Sequence, residues 1–132
     1  MVAFAEYLRG IVPFWHTMGI ELVEADRGRA VMTVRFREEF LQSAVMHGGV
    51  LASLLDSACA CAAVSLTWPE AYATTVGLQV YYVKPVTTGL ISAHAECLRA
   101  GRTILFCEAR ATDEGGALVG HGTSQLARVP AP

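Results

Sequence analysis

Charge is scarce in this chain: 17% of its 132 residues are Asp, Glu, Lys or Arg, and 12 acids against 10 bases leave a formal charge of −2. Nucleic-acid binding, which shows as a clustered basic face, is excluded on that balance. Cysteine is sparse as well, and Cys59, Cys61, Cys97 and Cys107 never take the CxxC spacing of a zinc ribbon or a redox pair. All four read as buried small hydrophobes. His16, His94 and His121 stand singly without the spacing of metal ligands, so neither a metal nor another cofactor is expected. A Gly-x-Ser-x-Gly elbow and a phosphate-cradling Gly-rich Lys loop are both missing, which removes two large enzyme classes. The N-terminal stretch has no basic region followed by an apolar one and a small-residue cleavage site, and no apolar run is read as long enough to span a bilayer. The expectation is a soluble, cytoplasmic protein with no membrane partner.

Apolar residues, at 53%, are what the chain has in quantity. Average domains hold about 45–50% apolar and about 25% charged residues, so either the core is large or a second subunit covers apolar surface. A chain of this length buries roughly two-thirds of its unfolded surface, enough for one domain over residues 1–132 and not for two cores with a cleft between them. A homo-oligomer is expected.

Residues 1–18 carry Phe4, Tyr7, Leu8, Ile11 and Val12 at helical spacing, with Gly10 and Pro13 as breakers, and read as a short helical cap. Residues 19–26 and 29–37 read as a hairpin around Asp26-Arg27-Gly28, its second strand alternating Val31, Thr33 and Arg35 against Met32, Val34 and Phe36. One long helix runs from Gly48 to about Thr67, apolar on nearly every face and stopped by Trp68-Pro69. Four strand-like runs follow at 73–84, 90–99, 103–112 and 118–129, joined by Pro85–Gly89, Ala100–Arg102 and Asp113–Gly116, which are turn chemistry for antiparallel neighbours. Only residues 129–132 look like a loose tail. One apolar helix and about six antiparallel strands define an α+β fold, a curved sheet wrapped around that helix. A sheet of this kind leaves its edges open for a second copy.

The chemistry-bearing signal is Met46-His47-Gly48-Gly49, followed on the same helix by Asp56. Adjacent glycines let another group come close to the backbone, and the first amides of a helix carry partial positive charge, a place to hold an oxygen that develops negative charge. A tight loop-to-helix turn is the plainer reading of the same glycines. Asp56 is a lone carboxylate among Ala52, Ser53, Cys59 and Ala60. Ionised and unpaired, it is costly there, so it is either a structural acid bonded to backbone or Ser57, or one kept for chemistry. His47 is open between a cap and a reacting base.

At these residues the sequence resembles the hotdog-fold acyl-CoA thioesterases, in their phenylacetate-pathway-like (PaaI-like) branch. The resemblance rests on His47-Gly48-Gly49 with Asp56 nine residues after the histidine, on Thr74-Thr75-Val76, on Tyr82-Val83-Lys84-Pro85, and on Gly101-Arg102-Thr103. It implies an enzyme that hydrolyses a medium-chain or aryl acyl-CoA without a cofactor. The amide of Gly48 would polarise the thioester carbonyl, and Asp56, contributed across a subunit interface, would activate water or attack directly. Thr75 would position that water, with His47 beside it. Gly49, Leu41, Met46 and Tyr82 would line the substrate, and Lys84, Arg99 and Arg102 would meet the phosphates of coenzyme A. A dimer at minimum, and a homotetramer by the same resemblance, is implied.

Two positions depart from the family pattern. Leu41 stands six residues before His47, where these proteins carry Asn or Gln, with Gln42 one place later; either a local bulge brings Gln42 into that catalytic role or the contact is missing. Gly77 stands where a larger polar residue is common, which reads as extra room for the acyl group. The first departure keeps a non-catalytic acyl-CoA or acyl-carrier binding module open as an alternative. A hotdog dehydratase shares the helix but wants a paired His and acid. Pocket shape would turn on Phe14, Trp15, Leu41, Met46, Tyr81 and Tyr82.

Overall fold

The central helix α3 (Gly48–Thr67) places Val50, Leu51, Leu54, Leu55, Ala58, Cys59, Cys61, Ala62, Ala63 and Val64 in the interior, which is why it is apolar all round. By length and composition it would pass for a membrane span, against the expectation from sequence that no run is long enough. Burial inside the fold accounts for that composition. The computed structural model describes residues 2–132, Val2 by its backbone only, and Met1 of the expected N-terminal cap lies outside the described residues.

A six-stranded antiparallel sheet wraps this helix in the hotdog arrangement. Its strands are β1 (Ile20–Asp26), β2 (Arg29–Arg35), β5 (Tyr72–Tyr82), β6 (Leu90–Ala100), β7 (Ile104–Thr112) and β8 (Leu118–Val129), in spatial order β1-β2-β6-β7-β8-β5. Alternate residues face the helix, as Ala30, Met32 and Val34 do on β2 and Leu105, Cys107, Ala109 and Ala111 on β7. Small residues on the inner face let the helix sit close. A Cβ added at Gly120 would stand 2.6 Å from the Leu51 side chain, and one at Gly122 would stand 3.4 Å from Leu55 Cβ. These two glycines of β8 are set by packing against α3.

The N-terminal cap is two helices, α1 (Val2–Ile11) and α2 (Pro13–Met18). Gly10 does not break α1, and Pro13 opens α2, where a missing N–H costs nothing. Trp15 of α2 donates its indole N–H to Ser57 Oγ at 3.0 Å, tying the cap to α3 one residue past Asp56. The chain between β2 and α3, to which the sequence assigns no element, forms a 3-10 turn (Glu38–Phe40) and a minimal hairpin of β3 (Leu41–Gln42) and β4 (Val45–Met46). β2 ends at Arg35, two residues short of expectation. β8 runs to Val129, so only residues 130–132 trail.

Candidate active site

The loop before α3 is pinned at two points. Met46 N–H donates to the Val86 carbonyl at 2.8 Å and His47 N–H to the Phe40 carbonyl at 2.7 Å. His47 then serves as the N-cap, its Nδ1 accepting the Gly49 N–H at 2.8 Å, while its carbonyl accepts the Val50 N–H at 3.1 Å. An acceptor at Nδ1 fixes the neutral tautomer with its proton on Nε2. Among the described hydrogen bonds Gly48 N–H has no acceptor, and it is the one amide of these three left open at the positive end of α3.

The glycines turn out to make room for the protein's own side chains. A Cβ at Gly48 would lie 3.1 Å from the Tyr82 ring, and one at Gly49 would lie 2.9 Å from His47 Nδ1. Tyr82 also donates its hydroxyl to the Gly48 carbonyl at 2.9 Å. Gly48 lines a pocket of about 350 Å³ together with Gln42, Met46, Leu51, Tyr82, Lys84 and their neighbours. Leu41 instead lines a second pocket of about 450 Å³ on the Gly49 side, with Phe14, Phe40 and Ser53. The hairpin therefore brings Gln42, not Leu41, to the pocket that Gly48 lines.

Asp56 lies on the partly open face of α3, with Gly49, Ala52, Ser53 and Ala60. It is half-buried, and Thr75 of β5 donates its hydroxyl to Asp56 Oδ1 at 2.8 Å. Its second carboxylate oxygen is open to other donors. One turn on, burial and the negative charge of Asp56 push the Cys59 thiol up to about 12. Cys61 rises to about 12 through burial, and burial first also raises Cys107. These three are core thiols, and among the described residues no cluster of ligands could hold a metal.

Gly48 and Asp56 do not meet within one protomer. Eight helical residues separate them by roughly 12 Å. Asp56 with Thr75 and Gly48 with Tyr82 are thus two separate hydrogen-bonded pairs spaced along α3 and β5. Thr75 and Tyr82, an odd number of residues apart, would point to opposite faces of a regular strand. A bulge at Val76 breaks the count: Thr75 pairs with Leu126 and Gly77 with Gln125, leaving Val76 unpaired. Both site residues consequently face α3.

Sequence reasoning missed that bulge, and Gly77 inside a strand run was its available signal. The room expected at Gly77 is filled by Gln125, whose Oε1 would be 2.7 Å from a Cβ there. Lys84 is engaged by Asp113 at 2.8 Å, and that hydrogen bond, with the Ala117 amide, holds the Asp113 carboxyl below its ordinary value. Arg99 and Arg102 are exposed at the β6–β7 turn, at the end of the sheet that holds Thr74 and Thr75, away from Lys84. The structure brings Gln42, Met46, His47, Gly48, Tyr82 and Lys84 together and leaves Arg99 and Arg102 apart from them.

A sheet wrapped on one buried helix, with a free amide at its N-terminus and an acid two turns in, defines a hotdog protein. The sequence profile of the thioesterase superfamily matches residues 43–119, from the loop before α3 to the start of β8, more than half of the chain. The chain belongs to that superfamily. It is 28% identical over 99 residues to the 1,4-dihydroxy-2-naphthoyl-CoA hydrolase of Listeria monocytogenes, covering 74% of this chain and 80% of that one. A conserved protein of Pseudomonas aeruginosa has a similar solved structure, with a TM-score of 0.85 at 28% identity over 90% of this chain and 95% of that one. The Escherichia coli PaaI protein from the phenylacetic acid degradation operon shares the fold, with a TM-score of 0.90 at 21% identity over 98% and 93% of the two chains.

Proposed function

We propose that this protein is an acyl-CoA thioesterase that hydrolyses a medium-chain or aryl acyl-CoA to the free acid and coenzyme A. The carrying observation is the Thr75–Asp56 hydrogen bond, which leaves one carboxylate oxygen free beside an otherwise small-residue helix face. In the reaction the thioester carbonyl accepts the Gly48 N–H. Water attacks the carbonyl carbon and gives its proton to Asp56, the tetrahedral oxyanion is held by the amide, and the thiolate leaves and takes up a proton. Gln42, in the same pocket as Gly48, takes the place of the missing amide side chain at position 41. The apolar lining from Val45, Met46, Leu51 and Val86 suits a hydrocarbon or aryl acyl group.

Two copies are needed for this, because the amide and the acid of one chain are too far apart to share a carbonyl. β5 is an edge strand of the sheet with an open row of backbone groups. Antiparallel pairing of two β5 strands about an axis near Gln79 would set Thr75 beside the partner's Tyr82, and Asp56 beside the partner's Gly48. A dimer is thus the smallest active unit, and a tetramer of two such dimers follows the family resemblance. Free thiols throughout fit a cytoplasmic location. Lys84, released from Asp113, and the exposed Arg99 and Arg102 are the cations available to coenzyme A phosphates.

A thiol-release assay across straight-chain and aryl acyl-CoAs, run beside Asp56→Ala, tests the proposal. Turnover on at least one member that is lost in the variant supports it, and a wild type inactive on all of them overturns it. Leu41 in place of Asn or Gln favours a second reading, a non-catalytic acyl-CoA or acyl-carrier binding module. Calorimetric binding of acyl-CoA with no thiol released would establish that one.

A further inference from the structure

We infer that Tyr82 and His47 are positioning residues that clamp the peptide unit between Gly48 and Gly49 from its two ends, and so aim the Gly48 N–H. This inference rests on the reading of Gly48 as the donor to the thioester carbonyl. The two ties run to one peptide plane: its carbonyl accepts the Tyr82 hydroxyl at 2.9 Å, and its N–H is accepted by His47 Nδ1 at 2.8 Å.

Why such a clamp is required follows from the sequence. A helix that opens on two glycines has the least constrained backbone available, because neither residue has a Cβ to limit φ and ψ. Larger residues would stiffen it, but a Cβ at position 48 would crowd the Tyr82 ring at 3.1 Å and one at position 49 would displace the His47 ring, 2.9 Å away. The torsions on either side of the clamped peptide are ψ of Gly48 and φ of Gly49. With the plane held at both ends, ψ of Gly48 loses its freedom, and the orientation of the Gly48 amide relative to the pocket is set before substrate arrives. An oxyanion donor acts through such preorganisation, within a few tenths of an ångström of its ideal distance. Tyr82 reaches Gly48 from a strand 34 residues away in sequence. The clamp therefore couples the amide to β5, the strand that also carries Thr75.

The test compares Tyr82→Phe, His47→Ala and His47→Asn with the wild-type protein, with oligomeric state and folding checked for each. Tyr82→Phe and His47→Ala should each lower kcat about tenfold with KM changed less than about twofold, since the loss is in transition-state alignment rather than substrate contact. Asn is a strong N-cap, so His47→Asn should restore kcat to within about threefold of wild type. Wild-type kcat in Tyr82→Phe, or an equal loss in His47→Asn and His47→Ala, overturns the clamp. Amide hydrogen exchange at Gly49, followed by NMR, reads the same ties without turnover. Faster exchange in His47→Ala and in Tyr82→Phe, reversed in His47→Asn, supports the clamp even where no thioester is hydrolysed. Unchanged Gly49 exchange in Tyr82→Phe rejects it whatever the activity.

Discussion

Thr75 Oγ1 donates to Asp56 Oδ1 at 2.8 Å, joining the edge strand β5 to the middle of the buried helix. A threonine hydroxyl donating to one carboxylate oxygen restrains how the carboxylate turns. Asp56→Asn should therefore lower kcat by about two to four orders of magnitude, the usual range for a lost general base. Thr75→Val should lower it about tenfold and Thr75→Ser should recover most of it, because only the hydroxyl is at issue. Thiol-release kinetics measure all three, and a Thr75→Val protein as fast as wild type would contradict the assigned role.

Packing at the helix-sheet contact makes Gly120 intolerant of any side chain. Gly120→Ala would set a methyl 2.6 Å from Leu51 Cδ2 and should destabilise the fold by about 2 kcal/mol through overpacking. Gly116→Ala, where nothing lies within 4 Å but φ is +85°, should cost about 1 kcal/mol from backbone strain alone. Denaturant titration of both variants separates the two causes.

The thiols should react unequally. Cys59 and Cys61 are buried and pushed up to about 12, and Cys107 is raised as well, so at pH 8 they are protonated and shielded. Cys97 is partly accessible. Alkylation of the folded protein followed by peptide mass spectrometry should modify Cys97 first, with the other three following only on unfolding.

Subunit pairing through β5 can be trapped chemically. If the axis lies near Gln79, Gln79→Cys should form a covalent dimer under mild oxidation, visible on a non-reducing gel. Sedimentation of the unmodified protein at micromolar concentration should give at least a dimer, and a monomer would remove the shared-site mechanism.

Asp113 predicts an acid-dependent term in stability. Its folded-state value is depressed, chiefly by the Lys84 hydrogen bond, so its stabilisation is complete above the ordinary carboxylate value and is lost as pH falls through the folded one. Asp113→Asn should melt lower than wild type at pH 7, and the gap should close as the pH falls below about 4. Thermal melts across that range check the sign.

Much of the architecture was legible because its signals are local. The Ala- and Leu-rich run of α3 and the Gly- and Asp-bearing turns of the sheet mark their elements within a few residues. The hairpin of β3 and β4 was not legible, since strands of two residues have no period to detect. Gly48, Gly49 and Asp56 stood out by residue type and spacing, and Thr75 and Tyr82 by the family resemblance, but the hydrogen bonds that join them did not. The Tyr82 contact spans 34 residues of sequence, and whether His47 caps or reacts depends on where its ring turns. Gln42 stands in the Gly48 pocket where Leu41 does not, an exchange the sequence suggested through a local bulge but which the β3–β4 hairpin brings about.

The bulge in β5 has an implication for how this chain tolerates change. Val76 is 63% exposed in the single chain and pairs with nothing on β8, so substitutions there should leave the β5–β8 pairing intact and act only through the proposed β5 seam. Deleting it is another matter: the strand would close into regular pairing and Thr75 would turn away from Asp56, while the sheet itself persisted. What this position contributes to the orientation of Thr75 is one residue of chain length, whatever its side chain.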